Sequence, residues 1–326
     1  MEPFQINPSH ARIVLPADAP HHEWLEERYN GIGGSEIAAV AGINPYQTPY
    51  QLWLVKTRRI DPELFHTDEE RERFRWGHKL EPVIVDAFAE DHPHLHVTRG
   101  HGTYARPDAK HHRVNVDGIA WTSDGQLDGV VEAKTGNHRQ RRYWENGEAP
   151  VQYVAQCQWA MHVTGAPRAY LVALVDNEWH QRDIERDDEL ISDLAAIADE
   201  FWSLVETDTP PPVDSSDTTR RMLSATHTEE GGVVALDDEW ESDLNRHKML
   251  SDQIKTLTEQ RDEIANRLRA AMGEAEIAEL FGQVVATFKR PKPQHRVCAK
   301  TLKNFHPDVY EKVARPTESS RRLVFK

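Results

Sequence analysis

Residues 114–135 read VNVDGIAWTSDGQLDGVVEAKT, and this stretch decides the fold. An apolar-alternating run leads to Asp117, the turn-rich segment TSDGQLDG follows, and a second strand-like run carries Glu-Ala-Lys. Side chains alternate along a strand, so Glu132 and Lys134 should project from one face and Ala133 from the other. The turn predicts that the two runs lie side by side. We therefore expect Asp117, Glu132 and Lys134 to meet at one point.

Two carboxylates beside an ammonium group suit a Mg²⁺-dependent phosphodiesterase. Carboxylate oxygens hold the hard cation, while Lys134 positions or activates water and stabilises the charge that develops on the phosphate. A purely structural interpretation stays open for this segment alone. Asp-Gly pairs are common turn formers, and E-x-K is common on strand surfaces.

The composition favours a globular protein in a reducing compartment. The chain has 326 residues, of which 29% are charged and 38% are hydrophobic. Its only cysteines, Cys157 and Cys298, are far apart in sequence, which predicts no disulfide framework and a cytoplasmic location. Two cysteines also cannot supply the four thiolates of an iron–sulfur cluster. No apolar run reaches the length of a membrane span, and we expect no membrane association.

The charge balance limits how the chain can bind nucleic acid. The net charge is −15, from 39 basic and 54 acidic residues. This balance argues against nonspecific attraction to nucleic acid over the whole surface, but a local basic channel is compatible with it. The run RQRR at residues 139–142 is either such a patch or a solvated loop.

Hydrophobic periodicity predicts a mixed α/β domain over residues 1–210 and a C-terminal appendage over residues 211–326. Predicted helices and strands alternate through the first part, and an amphipathic helix closes it. A linker rich in Pro, Ser and Asp is predicted over residues 207–221. A long helix from about 237 to 272 follows, with a near-heptad apolar pattern typical of a helical hairpin or a coiled coil. A β-hairpin turning at residues 281–283 and a basic tail from residue 289 complete the appendage.

Four further patterns are candidates for function. The glycine-rich segment GIGGSEIAAV, residues 31–40, opens a helix that Ser35 is placed to cap. With Arg28 just before it, this segment is either a phosphate-binding site or only a turn. Glu81 lies mid-helix in WGHKLEP and is either a solvated face residue or, as the apolar positions around it suggest, a metal ligand. Gln156, on an apolar helix, orients water or phosphate or makes a structural hydrogen bond. The histidine pairs 21–22 and 111–112 are expected at the surface, so no zinc site is predicted.

In their order along the chain, these segments resemble the YqaJ-like viral recombinase family, which includes lambda exonuclease and belongs to the PD-(D/E)xK nuclease superfamily. The resemblance covers roughly residues 22–180. Its matching pieces are Arg28 and Ser35 with GIGGSEIAAVAGINPYQTPYQLWLVKT, then WGHKLEP, VDG, EAK and YVAQCQWAMHVTG. It implies a PD-(D/E)xK nuclease core, in which a central mixed β-sheet is flanked by helices.

The resemblance also implies metal ligands. Asp117 and Glu132 would bind Mg²⁺ together with the carbonyl of Ala133, and Mn²⁺ is expected to substitute. Glu81 would hold a second metal ion or its water shell. Lys134 would act on the attacking water.

Other residues follow from the resemblance by position. Gln156 would assist in the catalytic site, and Arg28 and Ser35 would receive a terminal 5′-phosphate. Asn115 stands where lambda exonuclease has a serine in the phosphate pocket, which weakens the expectation of a strict preference for phosphorylated ends. Val116 stands in place of the proline that names the superfamily.

The implied activity is a phage or prophage exonuclease that acts in the bacterial cytoplasm and resects double-stranded DNA from its 5′ ends for recombination. The resemblance further implies a ring of three subunits and a single-strand annealing protein as partner. Two alternatives remain at this point. One is an endonuclease or nickase of the same superfamily, and the other is a non-catalytic DNA-binding or recruitment protein.

Overall fold

The computed structural model describes residues 4–61, 68–226, 231–292, 297–314 and 323–325. The chain divides into two compact units, one formed by Met1–Thr228 with Ser320–Lys326 and the other by Glu229–Ser319. The predicted fold class is confirmed. A central mixed sheet is flanked by helices, and a long helix and a hairpin follow toward the C-terminus.

The first unit contains eight strands and seven helices among its described residues. The strands are β1 Arg12–Leu15, β2 His96–Thr98, β3 Thr103–Ala105, β4 Arg113–Val114, β5 Gly118–Trp121, β6 Leu127–Gly136, β7 Arg168–Val175 and β8 Glu178–Glu185. The helices are α1 His21–Glu27, α2 Gly34–Val40, α3 Pro49–Lys56, α4 Asp68–Asp91, α5 Val151–Thr164, α6 Asp188–Glu206 and α7 Asp217–Thr226.

The central sheet has the strand order β2-β5-β6-β7-β8. All neighbouring strands are antiparallel except β6 and β7, which run parallel. The predicted turn joins β5 to β6 and is closed by a hydrogen bond from the Thr122 amide to the Gln126 carbonyl at 2.9 Å. A parallel pair needs a crossover connection, and α5 supplies it between β6 and β7.

Helix α4 covers one face of the sheet. Ile84, Val85 and Phe88 are buried there against Val131 and other residues of the sheet. The approach is close at Gly118, where an added Cβ would lie 2.9 Å from Val85 Cγ1. A glycine at this position therefore lets the helix pack directly on the strand that follows Asp117.

The other face packs against α5, with α2, α3 and α6 contributing to the same core. Trp159 of α5 is fully buried, and its indole donates a 2.9 Å hydrogen bond to the Arg113 carbonyl. With both faces covered, β7 is buried along most of its length, as the apolar sequence AYLVALV predicts. A smaller antiparallel sheet, β1-β3-β4, lies outside the central one.

Two local predictions require correction. Ser35 is not a helix cap, because α2 begins at Gly34 with Gly33 in the capping position. The segment predicted as linker ends in α7, where Met222 is buried and Thr219 Oγ1 lies 3.1 Å from Thr48 Oγ1. An apolar position within a polar segment thus attaches this helix to the first unit.

The second unit contains helix α8 Glu239–Met272, the hairpin strands β9 Ile277–Leu280 and β10 Gln283–Thr287, and helices α9 Ala299–Phe305 and α10 Pro307–Val313. Phe281 and Gly282 both have positive φ, which suits a two-residue hairpin turn. No residue of α8 is buried against the part of the chain that the structure describes. Much of the predicted basic tail, residues 293–296, 315–322 and 326, lies outside the described residues. Within the described ranges, no helix is long and apolar enough to cross a membrane.

Candidate active site

The strand pair β5–β6 brings Asp117 and Glu132 together. Gly118 pairs with Val131, so the next step of the antiparallel register places Asp117 opposite Glu132. The carboxylate of Asp117 accepts a hydrogen bond from the Ala133 amide at 2.8 Å. The two runs therefore fold back on each other, and both acidic groups lie at one end of the strand pair.

Lys134 and Gln156 converge on the same carboxylate. The Lys134 ammonium donates a hydrogen bond to Glu132 Oε1, and the Gln156 amide donates to the same oxygen at 2.5 Å. Glu132 is only 3% exposed, so this oxygen depends on its protein donors. Gln156 reaches it from α5, which packs on this face of the sheet.

Glu81 joins the cluster from α4. It lies in the helix beside Pro82, close enough to Asp117 for each carboxyl group to influence the pKa of the other. Burial raises the pKa of Asp117 to about 7, with Lys134 opposing and Glu81 adding to the shift. Burial and the charge of Asp117 likewise raise the pKa of Glu132 to about 7. The pKa of Glu81 is also raised, and burial is the main cause.

Lys134 carries the compensating positive charge. Burial opposes that charge, but Glu132 and Asp117 outweigh it and raise the pKa of Lys134 above its ordinary value. Lys134 is therefore an ammonium donor at neutral pH. The carboxyl groups of Asp117, Glu132 and Glu81 form an all-oxygen donor set, the kind that hard divalent cations prefer.

Aromatic and cationic side chains lie beside this cluster. Lys134 Nζ lies 5.1 Å from the ring centroid of Tyr153. Tyr46 and Arg73 are close enough to Tyr153 to influence the pKa of its hydroxyl group. The Arg73 guanidinium lies 5.7 Å from the Tyr46 ring and 5.4 Å from the Phe74 ring, and these three side chains are exposed. Tyr153 was not among the residues predicted from the sequence. Its spacing of one helical turn from Gln156 was the available signal.

The candidate phosphate segment borders the cluster. An added Cβ on Gly34 would lie 3.5 Å from Gln156 Cγ, so α2 begins beside the residue that contacts Glu132. Ser35 is exposed in the first turn of α2. The exposed Arg28 side chain lies 3.3 Å from Glu36 Oε1, in a short 3₁₀ turn before α2.

Glu36 and Lys56 form a buried ion pair that supports this segment and was not predicted from the sequence. Lys56 Nζ lies 2.7 Å from Glu36 Oε2 and also donates to the Arg28 carbonyl at 2.5 Å. The same Glu36 oxygen accepts from the Gly33 amide at 2.9 Å. Burial works against the charge of Glu36, but Lys56 and Arg28 hold its pKa below the ordinary value. The pair fixes Arg28 and Gly33 relative to each other.

Asn115 is placed differently from the other predicted phosphate ligands. It is exposed, and its amide donates a 2.9 Å hydrogen bond to Thr103 Oγ1 of β3. Among the described contacts, none joins it to Arg28 or Ser35. Arg28 is thus held to α2 through Glu36, and α2 begins beside Gln156, whereas Asn115 is bonded to Thr103.

The expectation that both histidines 111 and 112 lie at the surface is wrong for His112, which is 2% exposed. Its Nδ1 lies 3.0 Å from Nε2 of His162 on α5. Burial, followed by the charge of His111, lowers the pKa of His112 to about 4. The imidazole of His112 is therefore neutral at physiological pH. His21 and His22 are exposed, as predicted.

Comparison with known proteins agrees with the resemblance seen in the sequence. The YqaJ-like viral recombinase domain matches residues 23–167, a span that holds every candidate site residue. The chain is 30% identical over 315 residues to the uncharacterized protein YqaJ of Bacillus subtilis (strain 168), covering 95% of each. The alkaline exonuclease LHK-Exo of Laribacter hongkongensis has a similar structure, at 19% identity and a TM-score of 0.47, covering 63% of this chain and 98% of that one. Its complex with dAMP gives 20% identity and a TM-score of 0.48, covering 58% and 94%. The chain belongs to the YqaJ-like viral recombinase family.

Proposed function

We propose that the protein is a Mg²⁺-dependent deoxyribonuclease that resects double-stranded DNA, in the 5′-to-3′ direction, for recombination by single-strand annealing. The observation that carries the proposal is the convergence of Asp117, Glu132, Lys134 and Gln156 around one buried oxygen-rich point. Titratable groups with perturbed pKa values cluster at functional sites. Membership in a viral recombinase family supports the recombination role.

The donor set fits a hard divalent cation. Asp117, Glu132, the Ala133 carbonyl and Glu81 would hold Mg²⁺, and Mn²⁺ should substitute because it shares the preference for oxygen ligands. When bound, the ion supplies Lewis acidity and lowers the pKa of a coordinated water. It also offsets the mutual repulsion of carboxyl groups whose pKa values burial has raised.

The protein's own residues act around that ion. Lys134, as an ammonium group, donates to the attacking water or to a phosphate oxygen and stabilises the negative charge of the transition state. Gln156 holds the orientation of Glu132 through its amide. Deprotonation of the carboxyl groups is required for metal binding, so activity should increase as the pH rises through about 7.

DNA is the substrate class that best fits the residues around the cluster. Exposed Tyr46 and Phe74, with Arg73 above their rings, offer base-stacking surfaces and positive charge on a chain of net charge −15. Arg28 and Ser35 would bind a terminal 5′-phosphate, and Asn115 would contribute only if its bond to Thr103 is exchanged. This local arrangement reconciles an acidic chain with a polyanionic substrate.

The wider organisation is part of the same proposal. Residues 1–210 would form the nuclease domain and residues 211–326 the appendage, whose first helix, α7, packs on the nuclease domain. A ring of three subunits would enclose the duplex, and a single-strand annealing protein would take the product strand. The protein would act in the cytoplasm of a bacterial host, encoded by a phage or prophage.

Digestion of end-labelled linear duplex tests the proposal. We expect Mg²⁺- or Mn²⁺-dependent release of 5′ nucleotides and no cutting of covalently closed circles. Asp117→Asn should abolish hydrolysis, while Asp124→Asn, in the turn between the same two strands, should not. Cutting of circles would assign an endonuclease instead. Equal activity of Asp117→Asn and the native protein would overturn the proposed site.

A further inference from the structure

We propose that His111, His112 and Asp199 form a second divalent-metal site that takes an ion of the Zn²⁺ class and has a structural role. The site shares no residue with the acidic cluster around Glu132. Along α5, the residues nearest to the two sites, Gln156 and His162, lie about 9 Å apart at about 1.5 Å of rise per residue. The two sites also differ in donor chemistry, since imidazole nitrogens suit Zn²⁺ and carboxylates suit Mg²⁺.

Three potential ligand atoms already converge. One atom from each residue lies within 4.8 Å of the others. Asp199 Oδ1 is 2.7 Å from His111 Nε2 and 3.0 Å from His112 Nε2. Ligands at bond lengths of about 2.0–2.2 Å around a tetrahedral ion are roughly 3.3–3.6 Å apart, so a shift of less than about 1 Å would admit Zn²⁺.

A buried ring nitrogen of His112 also points to a bound ion. Nε2 of His112 is buried and has no hydrogen-bond partner, although it faces the Asp199 carboxylate. His112 Nε2 and Asp199 Oδ1 lie within hydrogen-bonding distance of each other, but the angle between them does not suit a hydrogen bond. An unsatisfied buried nitrogen is unfavourable for folding, and a metal ion between the imidazole and the carboxylate would supply the missing partner.

The surroundings hold these groups in place. His162 contacts the other ring nitrogen of His112, as a supporting partner of a metal-bound imidazole normally does. His111 stacks on Trp202 with ring centroids 5.6 Å apart and planes 6° from parallel. Asp199 is 59% exposed and so leaves the site open to solvent, from which an ion can enter.

The site lies where several elements of the first unit meet. Asp199 belongs to α6, and His111 and His112 lead directly into β4. The Ile32 amide donates a 2.7 Å hydrogen bond to the His111 carbonyl, and Ile32 is followed by the turn that opens α2. A bound ion would therefore anchor the segment before Gly33 to α6, at a distance from the reaction itself.

Calorimetric titration of the full-length protein with Zn²⁺, after treatment with a chelator and in excess Mg²⁺, tests the site. We expect one Zn²⁺ equivalent and a higher melting temperature on binding. Asp199→Asn and His111→Gln should each weaken Zn²⁺ binding more than about 10-fold, because the loss of a direct ligand should exceed the effect of losing a supporting partner. Both positions are accessible enough to test without the folding risk of replacing buried His112.

Two control variants separate this site from the acidic cluster and from general charge effects. Asp193→Asn, at an exposed position of the same helix, should bind Zn²⁺ as the native protein does. Glu132→Gln should also retain the equivalent assigned to the histidine site. Zn²⁺ binding that is lost with Glu132→Gln but kept with Asp199→Asn would overturn the proposal. So would native protein that binds no Zn²⁺ in excess Mg²⁺, because the cluster would then hold only the contacts of Asp199 with the two imidazole rings.

Discussion

Glu132 should destabilise the metal-free protein at neutral and alkaline pH. The side chain is 3% exposed, and burial with the charge of Asp117 raises its pKa from 4.5 to about 7. Replacing it by glutamine keeps the shape and leaves an amide oxygen to accept from Lys134 and Gln156. We therefore predict that Glu132→Gln is more stable than the native protein when no divalent cation is present.

The size of the effect follows from the pKa. The difference between about 7 and 4.5, at about 1.4 kcal/mol per pH unit, corresponds to about 3 kcal/mol. Because the folded state holds this proton more tightly, the contribution of Glu132 to stability is most favourable below pH 4.5 and is lost as the pH rises through 7. Glu132→Gln lacks this loss. The difference in unfolding free energy should be small near pH 4.5 and reach about 3 kcal/mol above pH 7.

Urea unfolding from pH 5 to 8.5 in a chelator measures this difference. All tryptophans except Trp240 belong to the first unit, so their fluorescence reports mainly on its unfolding. Glu200→Gln, at an exposed position of α6, is the matched control and should show no such pH-dependent gain. A pH-independent difference for Glu132→Gln, or a variant less stable than native protein at pH 8, would refute the reasoning.

Mg²⁺ should reverse the order of stability. A ligand at about 100 times its dissociation constant stabilises the folded state by about 2.7 kcal/mol. The native protein should gain this stabilisation at pH 8. Glu132→Gln, having lost a carboxylate ligand, should gain much less. Equal gains in both proteins would show that Glu132 does not take part in metal binding.

Three further predictions concern Lys134, Arg28 and Lys56. Lys134→Ala should lower the rate of Mg²⁺-supported hydrolysis of duplex DNA by about 10²–10³-fold, measured as initial rates; unchanged rates would exclude its proposed role. Arg28→Ala should reduce the preference for 5′-phosphate over 5′-hydroxyl ends by roughly 10-fold, whereas Arg58→Ala, which removes an exposed pair with Glu26, should not. Lys56→Met should destabilise the fold by about 3–5 kcal/mol in urea, since Glu36 would remain buried without its main partner, and a neutral result would contradict that account.

The parts of the site that lie close together in sequence were predictable. The alternation of a strand placed Glu132 and Lys134 on one face, and the turn after Trp121 predicted the antiparallel return that brings Asp117 beside them. Both inferences use periodicity and turn chemistry, which act over a few residues. The arrangement around Glu132 follows from such local rules.

Contacts between distant segments were not predictable from the same rules. Lys56 looks like the polar end of a helix, yet its partner Glu36 lies in the preceding helix and the pair is buried. His112 follows an exposed turn, but the packing of α5 and α6 encloses it beside His162. Both environments depend on how helices pack on the sheet, and sequence periodicity does not specify that packing.

Strand β8 and helix α7 show the same limit for whole elements. The sequence EWHQRDIE of β8 is largely polar because the strand lies at the edge of the sheet and is only partly covered. Helix α7 is also polar apart from a few positions, of which Met222 is buried. Met222, the adjacent Leu223 and the buried Thr219 attach the helix, and so few apolar positions leave only a weak pattern in the sequence.

Burial of the acidic cluster links stability, pH and metal binding. The fold removes Asp117 and Glu132 from water, and both carboxyl groups respond by binding protons more tightly. In the proposed site, a divalent cation would compete with those protons for the same oxygens, so metal binding should be favoured as the pH rises through about 7. Lys134 keeps its proton throughout this range, because the same carboxylates raise its pKa. We therefore expect the cluster to hold a metal ion and an ammonium donor together at neutral to alkaline pH, which is the combination that the proposed mechanism uses.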